Sequence, residues 1–224
     1  IGCNSIGIKP HIIIPRRFTD GYGIKVKNLE NMDPSGLLIT VDNGIAANEA
    51  VDTAKEKGMK VIILDHHEAR ILNGEQFLPE ADVVIDPHIT EADFEDYCGA
   101  GLAYRFMREV FAKKRRPADL NGIMSSMIAL AAVGTVGDSV TMKAENRFLV
   151  RRGMEQIEQK RVSTGLVLLL EEMKLSETLH IPLYRLSMRL GVWRMKVVAK
   201  LPHCYLIPDG NLTERKMPHR SSNR

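Results

Sequence analysis

Val61-Ile62-Ile63-Leu64-Asp65-His66-His67 constrains this chain more than any other stretch. An apolar run of this length reads as a buried strand. The carboxylate and two imidazoles that follow do not belong in a core. Such groups hold divalent metal or move protons. The rest of the chain then makes sense as a scaffold that brings further acidic residues to this strand end.

The flanking sequence supplies that scaffold. Leu37-Leu38-Ile39-Thr40-Val41-Asp42 reads as a strand that ends in Asp42-Asn43-Gly44. Ala47, Val51 and Ala54 then recur at helical spacing, and Gly58 stands where helices commonly stop. Lys60 to Asp65 is the next strand. Strand, helix and strand make a right-handed βαβ unit with parallel strands. Asp42 and Asp65 therefore share the carboxyl edge of the sheet, where open α/β sheets bind ligands. Asp82 to Asp86 is a third strand, stopped by Pro87. Asp86 and His88 read as turn residues.

Elsewhere the pattern is mostly helical. His11 to Ile14 is a short strand candidate stopped by Pro15. Arg16 to Gly23 is a glycine-punctuated loop, either an ordinary turn or a functional one. Gly99-Ala100-Gly101 opens a helix with Leu102, Phe106 and Val110 on its apolar face. Its first N–H groups could meet an anion, or the glycines could serve close packing. Asn121 to Val133 is a buried helix, and Gly134 to Asp138 a small-residue turn that delivers one carboxylate. Helices follow over Glu145 to Glu158 and from Gly165, the latter capped by Ser163-Thr164. Pro182 begins a shorter helix. After Gly191 the periodicity fails.

Composition removes several classes. At 44% hydrophobic and 26% charged, the 224 residues are expected to form a folded core rather than a disordered chain. No uninterrupted apolar run approaches the roughly 18 residues that span a bilayer, and no secretory signal is visible, so no membrane partner is expected. Three cysteines without Cys-x-x-Cys spacing point to free thiols in a reducing, cytoplasmic setting with no disulfide partner. A net charge of +3 is too weak to argue for nucleic acid by itself. No G-x-S-x-G elbow and no G-x-x-x-x-G-K-[ST] phosphate loop occurs.

Asp42, His66, His67 and Asp138 remain as the candidate constellation. Carboxylates and imidazoles suit Mn²⁺ or Mg²⁺. Two such ions about 3.5–4 Å apart clamp a phosphoryl group and acidify a shared water. Asp65 either ligates or orients an imidazole from behind.

Five segments carry a family resemblance: Ile14-Pro15-Arg16-Arg17-Phe18-Thr19-Asp20-Gly21-Tyr22-Gly23, Thr40-Val41-Asp42-Asn43-Gly44-Ile45, Asp65-His66-His67-Glu68, Cys98-Gly99-Ala100-Gly101-Leu102-Ala103-Tyr104, and Gly134-Thr135-Val136-Gly137-Asp138-Ser139-Val140, with Glu145-Asn146-Arg147 behind. In this order over residues 10–160 they resemble the DHH phosphoesterase superfamily, and within it the single-strand-specific exonucleases. The first segment, Ile14 to Gly23, separates that branch from the pyrophosphatases and small-oligonucleotide hydrolases that share Asp-His-His.

The resemblance implies a parallel-sheet α/β domain over 1–162 with flanking helices, linker helices over 163–191 and an irregular tail over 192–224. It implies two Mn²⁺ or Mg²⁺ ions, with Asp42, His66 and Asp138 as ligands. His67 and Asp65 would be catalytic, and Arg17, Asn43, Gly99 and Gly101 substrate-binding. The implied reaction is 5′-to-3′ phosphodiester hydrolysis of single-stranded DNA, with repair or replication proteins as partners. Two departures accompany it. The family's Asp-x-Asp strand would lie ahead of Ile1, which predicts impaired activity for this stretch. From Val192 onward the likeness ends, as an altered reading frame or true divergence would produce. The competing readings are a DHH enzyme acting on short oligonucleotides or cyclic dinucleotides, and an inactive DHH module that binds a partner protein.

Overall fold

The computed structural model describes residues 1–15, 21–89, 92–113 and 116–172. A short helix, α1 (Gly2–Ser5), opens the chain. Residues 8–15 follow in irregular, mostly exposed backbone, with Ile12 and Ile14 turned to solvent. The strand expected at His11–Ile14 is therefore not formed. A strand needs a neighbour for its N–H and C=O groups, and this segment pairs with none among the described residues.

The α/β layer begins with β1 (Leu37–Val41), α2 (Asn48–Glu56) and β2 (Lys60–Leu64). The two strands are parallel, in register from Leu37 opposite Lys60 to Val41 opposite Leu64. Gly58, at φ 89°, ends α2: its N–H reaches the Lys55 carbonyl, and the Met59 N–H reaches that of Ala54. α2 buries Ala50, Val51 and Ala54 against Leu38, Val61 and Ile63 of the sheet. Each fully buried valine or isoleucine here contributes about 1.5–3 kcal/mol.

After β2 comes a hairpin that no sequence pattern announced, β3 (Arg70–Leu72) with β4 (Glu75–Phe77). Its strands are three residues long and wholly exposed, which leaves no buried face to impose an alternation. β5 (Val83–Ile85) then completes a parallel sheet of order β1-β2-β5.

The helical layer holds α3 (Gly99–Lys113), α4 (Leu120–Gly137), α5 (Ala144–Glu158) and α6 (Thr164–Glu172). Ala129, Ala131, Ala132, Leu149, Ile157, Leu166 and Leu170 form its core. α4 runs through Gly137, so the small residues expected to make a turn form its last helical turn instead. Close packing uses one of these small residues: a Cβ on Gly134 would lie 2.5 Å from that of Ala100 on α3. By length and composition alone α4, with mean hydropathy 1.5, is long and apolar enough to cross a membrane. Polar residues such as Asn121, Ser125 and Ser126 interrupt it, so it is not an unbroken apolar run. Here α4 lies against α3 and α5. The tail over 192–224 and the helix expected at Pro182 fall outside the described residues.

Candidate metal centre

The carboxyl edge of the sheet gathers the candidate residues. Asp42 follows β1 directly and sits at φ 64°, a left-handed conformation that turns the chain sharply toward Gly44. Its backbone N–H still donates to the Leu64 carbonyl at 2.9 Å, which ties it to the neighbouring strand end. His66 and His67 leave β2 beside it. Asp138 caps α4, with its N–H bonded to the Gly134 carbonyl at 2.9 Å.

His66 Nε2 stands 3.0 Å from Asp42 Oδ1 and 3.3 Å from Asp138 Oδ2. One ring nitrogen thus lies between two carboxylates that come from different layers of the fold. Donor atoms of Asp42, His66 and His67 lie within 4.8 Å of one another. The His66 side chain is 14% exposed, while those of Asp42 and Asp138 are 54% and 40% exposed, so the cluster opens to solvent on its carboxylate side.

The electrostatics follow from this geometry. The hydrogen bond from His66 holds the Asp42 carboxyl below its ordinary range, with both imidazoles and the Gly99 N–H acting in the same direction against partial burial. The same bond raises the His66 pKa, helped by Asp138 and opposed by burial. The carboxylates thus favour the protonated form of the ring.

Asp65 supports the cluster from behind. It is 1% exposed. Its Oδ2 accepts the Ile45 N–H at 3.0 Å, and its Oδ1 accepts from the His66 N–H at 2.9 Å and meets His67 Nδ1 at 2.6 Å. A carboxylate so enclosed orients imidazole rather than facing a ligand. With Nδ1 engaged, His67 has Nε2 left for an outside partner.

The remaining candidates divide. Gly99 opens α3 against Asp42. A Cβ there would lie 2.5 Å from the Asp42 Cβ, and its N–H hydrogen-bonds the Asp42 carboxylate. The glycine packs closely, and its N–H is taken by the Asp42 carboxylate. Gly101 packs beside Tyr97, and its N–H points to Cys98 Sγ at 3.4 Å. Asn43 turns inward on the chain: Oδ1 accepts from the Ile24 N–H at 3.2 Å and Nδ2 donates to the Val41 carbonyl at 2.9 Å. It thereby anchors the end of the glycine loop. Arg17 lies outside the described residues. Asp86 does close a turn, through the His88 N–H at 3.0 Å. It is also fully buried, and burial raises its pKa, with the nearby Asp65 charge adding to the effect. Pro87 beside it marked only the turn.

An α/β domain with imidazoles and carboxylates gathered at the carboxyl edge of a parallel sheet is of the class that includes the metal-dependent phosphoesterases. This chain belongs to the DHH family: the model of the family's N-terminal domain matches residues 4–135. It is similar to the single-stranded-DNA-specific exonuclease RecJ of Salmonella typhimurium, at 33% identity over 181 residues, 76% of this chain and 30% of the relative. RecJ of Thermus thermophilus is 31% identical over 157 residues, 70% of this chain and 22% of that protein. The chain thus spans about 30% or less of the length of these relatives.

A crystal structure of exonuclease RecJ bound to manganese superposes with a TM-score of 0.55 at 30% identity, over 69% of this chain and 37% of that one. The Thermus thermophilus RecJ structure in complex with Mn²⁺ gives 0.57 at 24% identity, over 89% of this chain and 34% of that one, and supports the fold.

Proposed function

We propose that this chain is the DHH part of a divalent-metal-dependent nuclease that hydrolyses phosphodiester bonds of single-stranded DNA from the 5′ end. The observation that carries the reading is the placement of His66 Nε2 between Asp42 at 3.0 Å and Asp138 at 3.3 Å, with His67 alongside. Its support from relatives is the likeness to RecJ exonucleases, two structures of which hold manganese.

The residues fit a metal. Their donors are carboxylate oxygens and imidazole nitrogens, with no thiolate, which suits Mn²⁺ or Mg²⁺. Asp42, His66 and Asp138 would hold the ions, two in the intact family arrangement. A bound cation of this kind polarises a phosphoryl oxygen and lowers the pKa of its water.

The protein's own contributions can be stated more fully. Asp42 and Asp138 fix His66 between them and supply negative charge that attracts a cation. Asp65 fixes the ring orientation of His67 through Nδ1–H, and Nε2 donates to a phosphate oxygen when both ring nitrogens carry protons. The Gly99 N–H holds the Asp42 carboxylate in place. The open carboxylate side leaves room for an extended strand.

The test is a nuclease assay with Mn²⁺ on a long single strand labelled at its 5′ or 3′ end, a duplex, and a dinucleotide. Slow Mn²⁺-dependent loss of the 5′ label from the long single strand, abolished by His66→Ala, is the expected result. Preference for the dinucleotide would favour the short-oligonucleotide reading. No hydrolysis of any substrate would overturn the assignment of activity to this chain.

A further inference from the structure

The two loops that shape the cluster come from different parts of the helical layer. One leaves α4 at Asp138 and runs to α5. The other enters α3 at Gly99, whose N–H and missing side chain make the cradle for Asp42. Asp138, at the start of the first loop, stands 3.3 Å from His66, so both loops border the cluster.

Asn146, in the first turn of α5, reaches both. It is fully buried. Its Nδ2 donates to the Asp96 carbonyl at 2.6 Å and to the Thr141 carbonyl at 2.9 Å. Asp96 lies in the loop that enters α3, and Thr141 in the loop that leaves Asp138. An amide nitrogen has two N–H donors, and one is spent on each loop. The bond to Thr141 is local, and any residue near a helix start could make its like. The bond to Asp96 spans 50 residues and has no local explanation.

The neighbouring residue reinforces the join: Glu145 pairs with Arg105 of α3 at 3.2 Å and hydrogen-bonds Tyr97, over whose ring Arg105 lies at 5.6 Å. Arg105–Glu145 is exposed and of small energetic weight. Asn146 is fully buried, while Asp96 and Thr141, whose carbonyls it holds, belong to exposed loop positions, so its loss would free both loops to solvent.

We infer that Asn146 is a positioning residue: it staples the Asp138 loop to the Gly99 loop and thereby sets the spacing of the carboxylates on either side of His66, without touching the cluster itself. As a statement about metal affinity this rests on the reading of the cluster as a metal centre. As a statement about the two loops it does not.

The side-chain chemistry is specific. Aspartate has the same shape but no donor, and would face two carbonyls with a third acceptor. Serine keeps a single donor on a shorter arm.

The test uses Asn146→Asp and Asn146→Ser, with Ile157→Ala as the control. Ile157 is buried near the far end of the same helix, in the core of the helical layer. Two quantities are measured on the full 224-residue chain: Mn²⁺ affinity by calorimetry, below the unfolding transition of every variant, and metal-free amide hydrogen exchange.

Both Asn146 variants should weaken Mn²⁺ binding by about 10-fold or more and speed exchange over residues 96–99 and 138–142. Ile157→Ala should lower the melting temperature and leave Mn²⁺ affinity unchanged. Equal affinity in wild type and both Asn146 variants would overturn the proposal, as would an equal loss in Ile157→Ala. If the wild type binds no Mn²⁺, the metal reading fails and exchange decides the staple: acceleration confined to the two loops supports it, and unchanged or uniform exchange overturns it.

Discussion

At the scale of single residues, the cluster is a competition between a proton and a cation for one nitrogen. Asp42 and Asp138 raise the His66 pKa, and a metal at Nε2 competes with the proton there. Affinity for Mn²⁺ should therefore climb with pH, by up to about tenfold per unit for a single displaced proton, and level off once pH exceeds the raised His66 pKa. A calorimetric series from pH 5.5 to 8.5 (above the range where hydroxide competes only for the last points) would show it. A flat profile would mean that Nε2 is not where the cation binds.

Asp65→Asn is the companion change. It keeps the shape but weakens the hold on His67, and should lower metal affinity or activity by about 10–100-fold while the fold persists. Wild-type behaviour in this variant would remove Asp65 from the account.

At the scale of elements, small residues set the approach of helices to the site. Gly99→Ala drives a methyl into Asp42, with 2.5 Å between the two Cβ atoms. Such overpacking costs about 1–3 kcal/mol, and here the displaced group is a candidate ligand. Stability to urea and Mn²⁺ affinity should fall together. A variant that lost neither would show that α3 can slide without cost.

Asp82 plays a different part, joining α2 to the sheet. It takes hydrogen bonds from Lys55 at 2.7 Å, Lys60 at 3.1 Å and the Val61 N–H at 2.8 Å. Lys55 first, then Val61 and Lys60, hold its carboxyl well below the usual range. A depressed folded-state pKa adds stability above the unfolded value of about 3.9 and loses it as pH falls toward the folded one. Asp82→Asn should thus be less stable than wild type at pH 7, and the gap should close below about pH 4. Melting curves at the two pH values check this, and a gap independent of pH would contradict it.

At the scale of the whole molecule, what could be read from sequence tracks what was buried. β1, α2, β2 and β5 each present an apolar face to one core, so periodicity revealed them and their parallel order. The meeting of Asp42 with Asp65-His66-His67 at one edge followed from that order. The place of Asp138 did not. The small-residue stretch marked Asp138 as a candidate, but its meeting with His66 depends on how α4 packs on α3 through Gly134 and Ala100. The exposed β3–β4 hairpin, the enclosure of Asp65 and the double bond of Asn146 to two loops left no periodic trace. The strand expected at His11–Ile14 was a case of local propensity without a partner to satisfy it.

The central claim is that Asp42, His66 and Asp138 bind a divalent cation. It is met most directly by titrating Mn²⁺ into the wild-type chain and into His66→Ala by calorimetry at pH 8, in two buffers of different ionisation enthalpy. The account predicts saturable binding with proton release in the wild type and its loss in His66→Ala. Equal binding by the two proteins, or none by the folded wild type, would contradict it.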